Sequence, residues 1–575
     1  MSEHIETPAL YGGKKAHSLQ AQVSSASQSD PSMSDTSQAD DIPHEVISSQ
    51  SPTIYLKGAR LHMITAAFET LIFLSLFITN LEIPIVTTSL VSITDDLNSF
   101  NQVNWIASAY MLGEVSMLMI WGKLSDIFGR KLCTVTSIGL FTIFAGACGS
   151  SQSMTQLIIF RAFQGIGSGG NFALGNVILF ELVPKKLYTR YTSFISIVYS
   201  ISFSLGPVLG GALNHSKTWR WVFLLNVPAG ALSALVIVLY LPAKFPNHER
   251  DEASKGFGFR SMFSTNVFKR VDLLGAVILL VAIALLVTAL EEAGQLYDWK
   301  SAFVIALLTV SCISWVGFVF WERLVSLESQ TAEPVFPWRL MTSRIWIGMI
   351  LNAVFLGIPY FVTIFQLPQR FQVVDNTTAL NAAFRLIPFT LLCPVGSIVS
   401  TVVAGKAKVP PIFLIMIGSG LQIVGFALLS TLTVSEVTPV SQYGFQIIAG
   451  FGVGINLSTL LLITPYSISE PADKAVAVSS ITQFRILGGV LGIAIATAAY
   501  KSNIISNLDK ILTKEQRSLI LESTSMIKTF NPKVQMQIRE VFAEGYNLQF
   551  RILVAFAAAQ IPSSLLMWQE KQIVV

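Results

Sequence analysis

The sequence predicts an all-α, polytopic membrane protein with fourteen transmembrane helices. Three observations carry that expectation. Hydrophobic residues make up 52% of the chain and charged residues only 13%, against roughly 25% charged in soluble proteins, and the mean hydropathy is +0.60. So few charges cannot cover a water-facing surface, so lipid must be the solvent. Apolar runs of ~20 residues, the length of a bilayer-spanning helix, recur along the chain. Lys and Arg then concentrate in alternate loops between those runs.

Taken in order, residues 1–56 read differently from everything after them. The stretch "SLQAQVSSASQSDPSMSDTSQADD" is rich in Ser, Gln and Asp without apolar periodicity, which predicts a disordered, solvated tail open to phosphorylation or ubiquitination. No apolar core follows the first methionine closely, so a signal peptide is not expected. The spans follow at 62–90, 104–122, 132–150, 155–181, 191–213, 220–241, 271–290, 302–321, 345–368, 380–403, 410–431, 441–464, 475–499 and 550–568. The first is long enough to contain a break. Residues 57–241 thus form one group of six spans, 242–344 hold linkers and two further spans, and 345–575 hold the last six. Segment 501–549, between the last two spans, has mixed charge and partly helical spacing, and reads as a surface amphipathic helix rather than a substrate lid.

Orientation follows from the loops. With the amino terminus inside, the cytoplasmic loops carry Lys123, Arg130, Lys131, Lys185, Lys186, Arg190, Lys244, Arg250, Lys255, Arg260, Lys269, Arg270, Arg323, Arg339, Arg344, Lys406, Lys408 and Lys474. The outer loops carry only Lys217, Arg220, Lys300 and Arg370. Both termini are therefore expected in the cytoplasm, and 501–549 outside. Asn376-Thr377-Thr378 and Asn214-His215-Ser216 fit glycosylation sequons on the outer side, but both lie so close to the membrane that modification is not expected.

Several function classes drop out. Cys133, Cys148, Cys312 and Cys393 sit in or beside apolar runs without CxxC spacing, and the six histidines are scattered, so neither a metal site nor a disulfide framework is indicated. No cofactor motif is present, and no basic face with interleaved aromatics suggests nucleic acid. Neither a Walker A loop nor HExxH occurs, which argues against an ABC exporter and a membrane metalloprotease. The expected partners are the bilayer, a small-molecule substrate and protons, with the chain acting as a monomer.

The inner turn "GKLSDIFGRK" (Gly122 to Lys131) is a compact charged island between two apolar spans. Gly122 and Gly129 permit close packing and unusual backbone angles. Asp126 can pair with Arg130 and Lys131 or sit at a helix amino terminus. Alone, such a turn reads first as a plain positive-inside topology signal. Within the spans, charged groups are costly and therefore functional candidates: Glu82, Glu114, Arg161, Arg385 and Arg485, with Glu69 nearer the inner end of span one. Span five carries Gly206, Pro207, Gly210 and Gly211, where glycines four apart allow helices to approach closely and proline can bend the helix.

These segments together resemble the major facilitator superfamily, in its fourteen-span drug:proton antiporter branch as found in fungal toxin efflux pumps. "GKLSDIFGRK" matches the loop between spans two and three, and "RAFQGIGSGG" (Arg161 to Gly170) the fourth-span motif. "GPVLGGAL" (Gly206 to Leu213) is similar to the fifth-span antiporter motif and "WRWVFLLNVPAG" (Trp219 to Gly230) to the start of span six. "PQRFQVV", "RLIPF" and "QFRILGGVLG" also resemble the fungal pumps, so the likeness covers roughly residues 60–500. Glu82 stands where the family usually has Asp, Leu90 where Pro is common, and Ser202 where the antiporter motif has Gly.

The resemblance implies two six-helix bundles with two additional central helices, and export by alternating access coupled to proton entry. It makes Glu82 the first candidate proton carrier and Arg161 the residue that polarises it, with a purely structural ion pair as the alternative. It makes Gly122, Asp126, Gly129, Arg130 and Lys131 a conformational switch and Gly206, Pro207, Gly210 and Gly211 a leak-tight helix interface. Glu114, Gln164 and Arg485 are candidate substrate-site residues, although Glu114 lies outside the matched motifs and also fits a packing role. The implied cargo is an amphipathic secondary metabolite or toxin, and the implied location the plasma membrane, or else a vacuolar or vesicular one. A proton-coupled importer of siderophores or amino acids is the rival reading, with a channel behind it.

Overall fold

The computed structural model describes residues 73–86, 89–90, 93, 96–97, 103–182, 187–214, 219–241, 270–293, 297–328, 332–434, 439–468, 470, 473–522 and 524–574. The amino-terminal tail, Glu69, the loop at 242–269, and His215 and Ser216 of the Asn214 sequon lie outside them. Fourteen long helices run through the described residues: α1 Phe73–Val86, α2 Val103–Phe128, α3 Arg130–Ser150, α4 Met154–Leu182, α5 Tyr188–Asn214, α6 Arg220–Tyr240, α7 Leu273–Glu292, α8 Ala302–Glu328, α9 Arg344–Val373, α10 Ala379–Lys406, α11 Pro411–Leu429, α12 Ser441–Ile463, α13 Lys474–Leu508 and α14 Pro532–Leu565. Among the described residues there is no β-strand, only two isolated bridges. Eleven of the helices are long and apolar enough to cross a membrane. The described part of α1 is apolar but shorter, and α2 and α4 have the length with polar residues along it.

Local chemistry sets where these helices begin. Asp272 caps α7, its Oδ1 accepting from the Gly275 N–H at 2.8 Å. Thr378 caps α10 through its hydroxyl, and Pro411 occupies the first turn of α11, where its missing N–H costs nothing. Between α2 and α3 the chain turns at Gly129, whose φ of 93° lies where a side chain would be strained.

Packing follows close helix approaches. In the first group, α4 packs against α2 and α3, and α3 against α6. In the second, α12 packs against α10 and α11, while α9 packs against α13 and α14. A Cβ on Gly165 of α4 would lie 2.1 Å from the Tyr110 carbonyl oxygen of α2, and one on Gly454 of α12 would lie 1.8 Å from that of Cys393 of α10. Only glycine fits at such backbone contacts. Between the groups, α5 meets α10 and α12, and α13 meets α2 and α4. The additional pair α7–α8 packs on itself, with α7 laid over the seam where α2 and α13 meet.

The region 501–549 departs from its expectation. A separate surface helix there is confined to Lys514–Glu522, followed by a 3-10 turn, Thr524–Thr529, because α13 continues to Leu508 and α14 begins at Pro532. At 35 and 34 residues, these two helices outrun the ~20 residues that a bilayer needs. Their overhangs bury Ile504, Leu508, Ile538, Val541, Phe542 and Tyr546 in one apolar cluster with Ile520 of the short helix and Val374. The last span thus starts well before residue 550, because a one-sided apolar stripe has low mean hydropathy yet still makes a packed helix pair.

Candidate transport site

Two polar groups sit inside the first helix group, joined through Tyr110. In the first, Glu82 of α1 and Arg161 of α4, both fully buried, form an ion pair through Arg161 Nη1. Asn226 of α6 donates to the other Glu82 oxygen. Arg161 also donates from Nη1 to Gln164 Oε1 at 3.0 Å and from Nε to the Ile106 carbonyl at 2.9 Å. Its guanidinium lies over the Tyr110 ring, 4.2 Å from the centroid. Both Glu82 oxygens are therefore engaged, one by a cation. Gln164 belongs to this group rather than to an open cavity.

The second group lies on the other side of Tyr110. The Tyr110 hydroxyl donates to Ser168 Oγ at 2.6 Å, and Ser168 donates to Glu114 Oε1 at 3.3 Å. Glu114 is 4% exposed, and its Oε2 is buried with no hydrogen-bond partner. Among the described residues Glu114 has no ion pair, although Arg485 and Arg161 act on it electrostatically.

Arg485 stands on α13 at a narrow cleft between the two helix groups, with a cavity volume of about 20 Å³. Phe172, Asn176, Ile195 and Tyr199 line it from α4 and α5, and Leu356, Leu457, Leu460, Leu461, Ile481 and Thr482 from α9, α12 and α13. The walls are mostly apolar. Phe172 and Tyr199 stack at 5.2 Å, and Tyr199 and Asn176 hydrogen-bond to each other. The Arg485 guanidinium lies 5.9 Å from the Phe172 ring, and its Nε is buried without a hydrogen-bond partner. Arg385, by contrast, sits near the α9–α10 turn, 3.5 Å from Asp375, away from this cleft. Asn376 is in that same turn, exposed, with a φ of 52°.

The charged turn is tied to α4, α6, α13 and the segment after α8. Arg130 binds Glu181 of α4 through two nitrogens, at 2.8 and 3.0 Å, and Asp126 at 2.6 Å. Lys131 donates to the Val238 carbonyl of α6 at 2.7 Å, and Lys123 pairs with Glu333, just after α8, at 2.6 Å. A Cβ on Gly122 would lie 2.7 Å from Ser479 Oγ of α13, and the Met119 N–H donates to Gln483 Oε1 of α13 at 2.8 Å. Lys474 at the start of α13 donates to the Phe180 carbonyl and the Tyr188 hydroxyl. Glu181, Glu333 and Gln483 did not stand out in the sequence. The first two are span-end acids, whose partners lie far along the chain.

Along α5, a Cβ on Gly206 would come 2.6 Å from Pro84 of α1. Pro207 is inside the helix, and Gly210 and Gly211 lie one turn on. Ser202 is buried and donates back to the Val198 carbonyl. Ser193 and Ser204 of α5 hydrogen-bond Thr401 and Thr390 of α10.

Other proteins resemble this chain in sequence and in fold. Residues 72–327 match the family profile described as Major Facilitator Superfamily. The chain is 40% identical over 514 residues to the MFS-type transporter FPY5 of Fusarium mangiferae, covering 89% of this chain and 84% of that one. It is 31% identical to Multidrug resistance protein 3 of Bacillus subtilis, over 74% of this chain and 77% of the other, and 27% identical to the rubrofusarin-specific efflux pump aurT of Gibberella zeae, over 86% and 88%. Among solved structures, an inward-facing, unoccupied bacterial homologue of the human lysosomal transporter Spinster superposes with a TM-score of 0.54 at 15% identity, covering 88% of this chain and 99% of that one. The likeness to that structure is one of fold.

Proposed function

The chain belongs to the major facilitator superfamily, and we propose that it is a proton-coupled efflux transporter, exporting amphipathic, largely apolar small molecules such as a fungal secondary metabolite. That it is a multi-pass membrane transporter rather than an enzyme follows from the family. The direction, the proton coupling and the cargo are the reading offered here. The observation that carries it is the cleft between the helix groups, apolar-walled with sparse polar groups, as a site for such cargo should be, with a buried and unpaired carboxyl, Glu114, within electrostatic reach of its wall.

Glu114 is the better proton carrier of the two intramembrane glutamates. A carrier must exist in both protonation states. Glu82 has both oxygens engaged, by Arg161 and by Asn226, and removing its charge would leave a buried guanidinium unpaired. Glu114 meets only a hydroxyl on one oxygen and nothing on the other, so neither state is locked. The charged turn, placed in the cytoplasm by the loop charges, holds that end of the α2–α13 seam closed, and its release would open the cleft inward.

Everted vesicles acidified inside test the reading, with Nile red and rhodamine 6G as probes. Saturable, gradient-dependent accumulation that an uncoupler abolishes is expected. Non-saturating flux that ignores the gradient would make the protein a pore, and accumulation of only charged amino acids or iron chelates would make it a different carrier.

A further inference from the structure

Arg370, in the last turn of α9, is 1% exposed. Its Nε and Nη2 are buried and make no hydrogen bond. Its Nη1 stands 3.9 Å from Asp375 Oδ1, beyond hydrogen-bond length. A buried charge is costly unless it is both paired and hydrogen-bonded, and here the pairing is long and shared. The other Asp375 oxygen lies 3.5 Å from Nη1 of Arg385 on α10, and Arg539 of α14 acts on the same carboxylate. One carboxylate thus serves three cations, at the end of the molecule that alternating spans place opposite the charged turn. The nitrogens left over have a particular geometry. Nε and Nη2 form one edge of the planar guanidinium, a fork of parallel N–H bonds that matches two oxygens of one anion. Arg130 shows that fork in use: its Nε and Nη2 hold both oxygens of Glu181, at 3.0 and 2.8 Å. At Arg370 no acceptor among the described residues meets the same edge.

We propose that the Nε–Nη2 edge of Arg370 is a binding site for a small two-oxygen anion, a carboxylate or a phosphate, at the outer end of the second helix group. Such an anion accepts both N–H bonds in parallel and supplies the negative charge that the three arginines lack. A water molecule in its place would satisfy one donor and leave the charge excess standing. Asp375 does not fill the edge, because it faces Nη1 on one side and Arg385 on the other. Neither cargo nor the direction of transport enters, so the site is independent of the efflux reading.

The test follows melting of the full chain, delipidated in dodecyl maltoside, as potassium acetate or potassium phosphate replaces potassium chloride at constant ionic strength. An anion that binds only the folded chain raises its melting temperature to a saturating curve, whereas a general salt effect is linear and additive. Wild type should show the saturating rise with acetate, with phosphate or with both, and two anions that both act should compete. Arg370→Lys keeps the charge without the fork, so half-saturation should need at least about tenfold more anion. Arg370→Gln should lose the saturating rise altogether. Dioctanoyl phosphatidic acid forms the second arm: a saturating rise with it alone, lost in Arg370→Gln, assigns the site to a lipid phosphate rather than a free anion. Wild type without a saturating rise in either arm overturns the proposal, as does a rise that Arg370→Gln retains. Should Arg370→Gln fail to fold, Arg370→Lys decides, and half-saturation equal to that of wild type overturns the proposal.

Discussion

Tyr110 separates two carboxyls that answer to the same description in the sequence, a glutamate inside an apolar span. Their surroundings give them different roles. Glu82→Gln would strand Arg161, which is fully buried, at a cost of about 3–5 kcal/mol, so we expect a lower melting temperature in detergent and poor membrane yield. Replacing both partners with leucine should restore much of that stability, since apolar replacement of a buried pair is often neutral. Glu114→Gln should leave melting unchanged and abolish gradient-driven transport, while cargo exchange without a gradient continues. Gradient-driven transport at wild-type rate in Glu114→Gln would remove it as the proton carrier. The sequence made Glu82, Glu114, Arg161 and Arg485 visible as costly charges in lipid. Which of them are paired was not legible there, because pairing depends on which face of each helix meets which neighbour. The bidentate hold of Glu181 on Arg130 was hidden for the same reason.

At the level of helices, the apolar ruler put a span on each of the fourteen helices of the described residues, because lipid imposes length and hydropathy, met in full by eleven of them. It failed where that constraint ends. The overhangs of α13 and α14 are stabilised by an apolar stripe facing each other, Val374 and the short segment that joins them, which a windowed mean cannot separate from an ordinary polar loop. Glycines mark the opposite case, where spacing was legible but the partner was not. Gly206→Leu should force α5 away from Pro84 of α1, at a cost of about 1–3 kcal/mol by overpacking, with transport lost or a leak opened. Gly139→Leu on α3 is the matched control, since a Cβ there meets nothing within 4 Å. Transport and vesicle tightness in both variants decide it: unchanged values for Gly206→Leu would mean that the α1–α5 contact can yield.

Across the whole molecule, the additional helix pair is tied into the seam where the two helix groups meet. Glu333, following α8, receives both Lys123 of the charged turn and Arg270, just before α7, and the chain there bridges to Val271. Burial alone would raise the Glu333 carboxyl, but hydrogen bonds and charge from Lys123 and Arg270 outweigh it and hold it below its ordinary value of 4.5. A depressed carboxyl contributes its stability above that ordinary value and loses it only as the pH falls through the lower one, so the brace stays ionised at any pH above the ordinary value. It is therefore a constant tie on the turn, rather than a switch. Glu333→Gln should weaken that tie and let the turn end of the α2–α13 seam open more often. Ser479→Cys reports it, because Ser479 is buried against Gly122. The background should carry Cys312→Ser, as Cys312 is exposed while the other three cysteines are buried. A membrane-impermeant maleimide on the turn side should label Ser479→Cys several-fold faster in Glu333→Gln, and a Lys123→Glu/Glu333→Lys exchange should restore slow labelling in part. Labelling that Glu333→Gln leaves at the wild-type rate would show that α7 and α8 ride on the seam without restraining it, so that the hold on this end falls to the contacts of Gly122, Met119 and Lys474 with their partners across it.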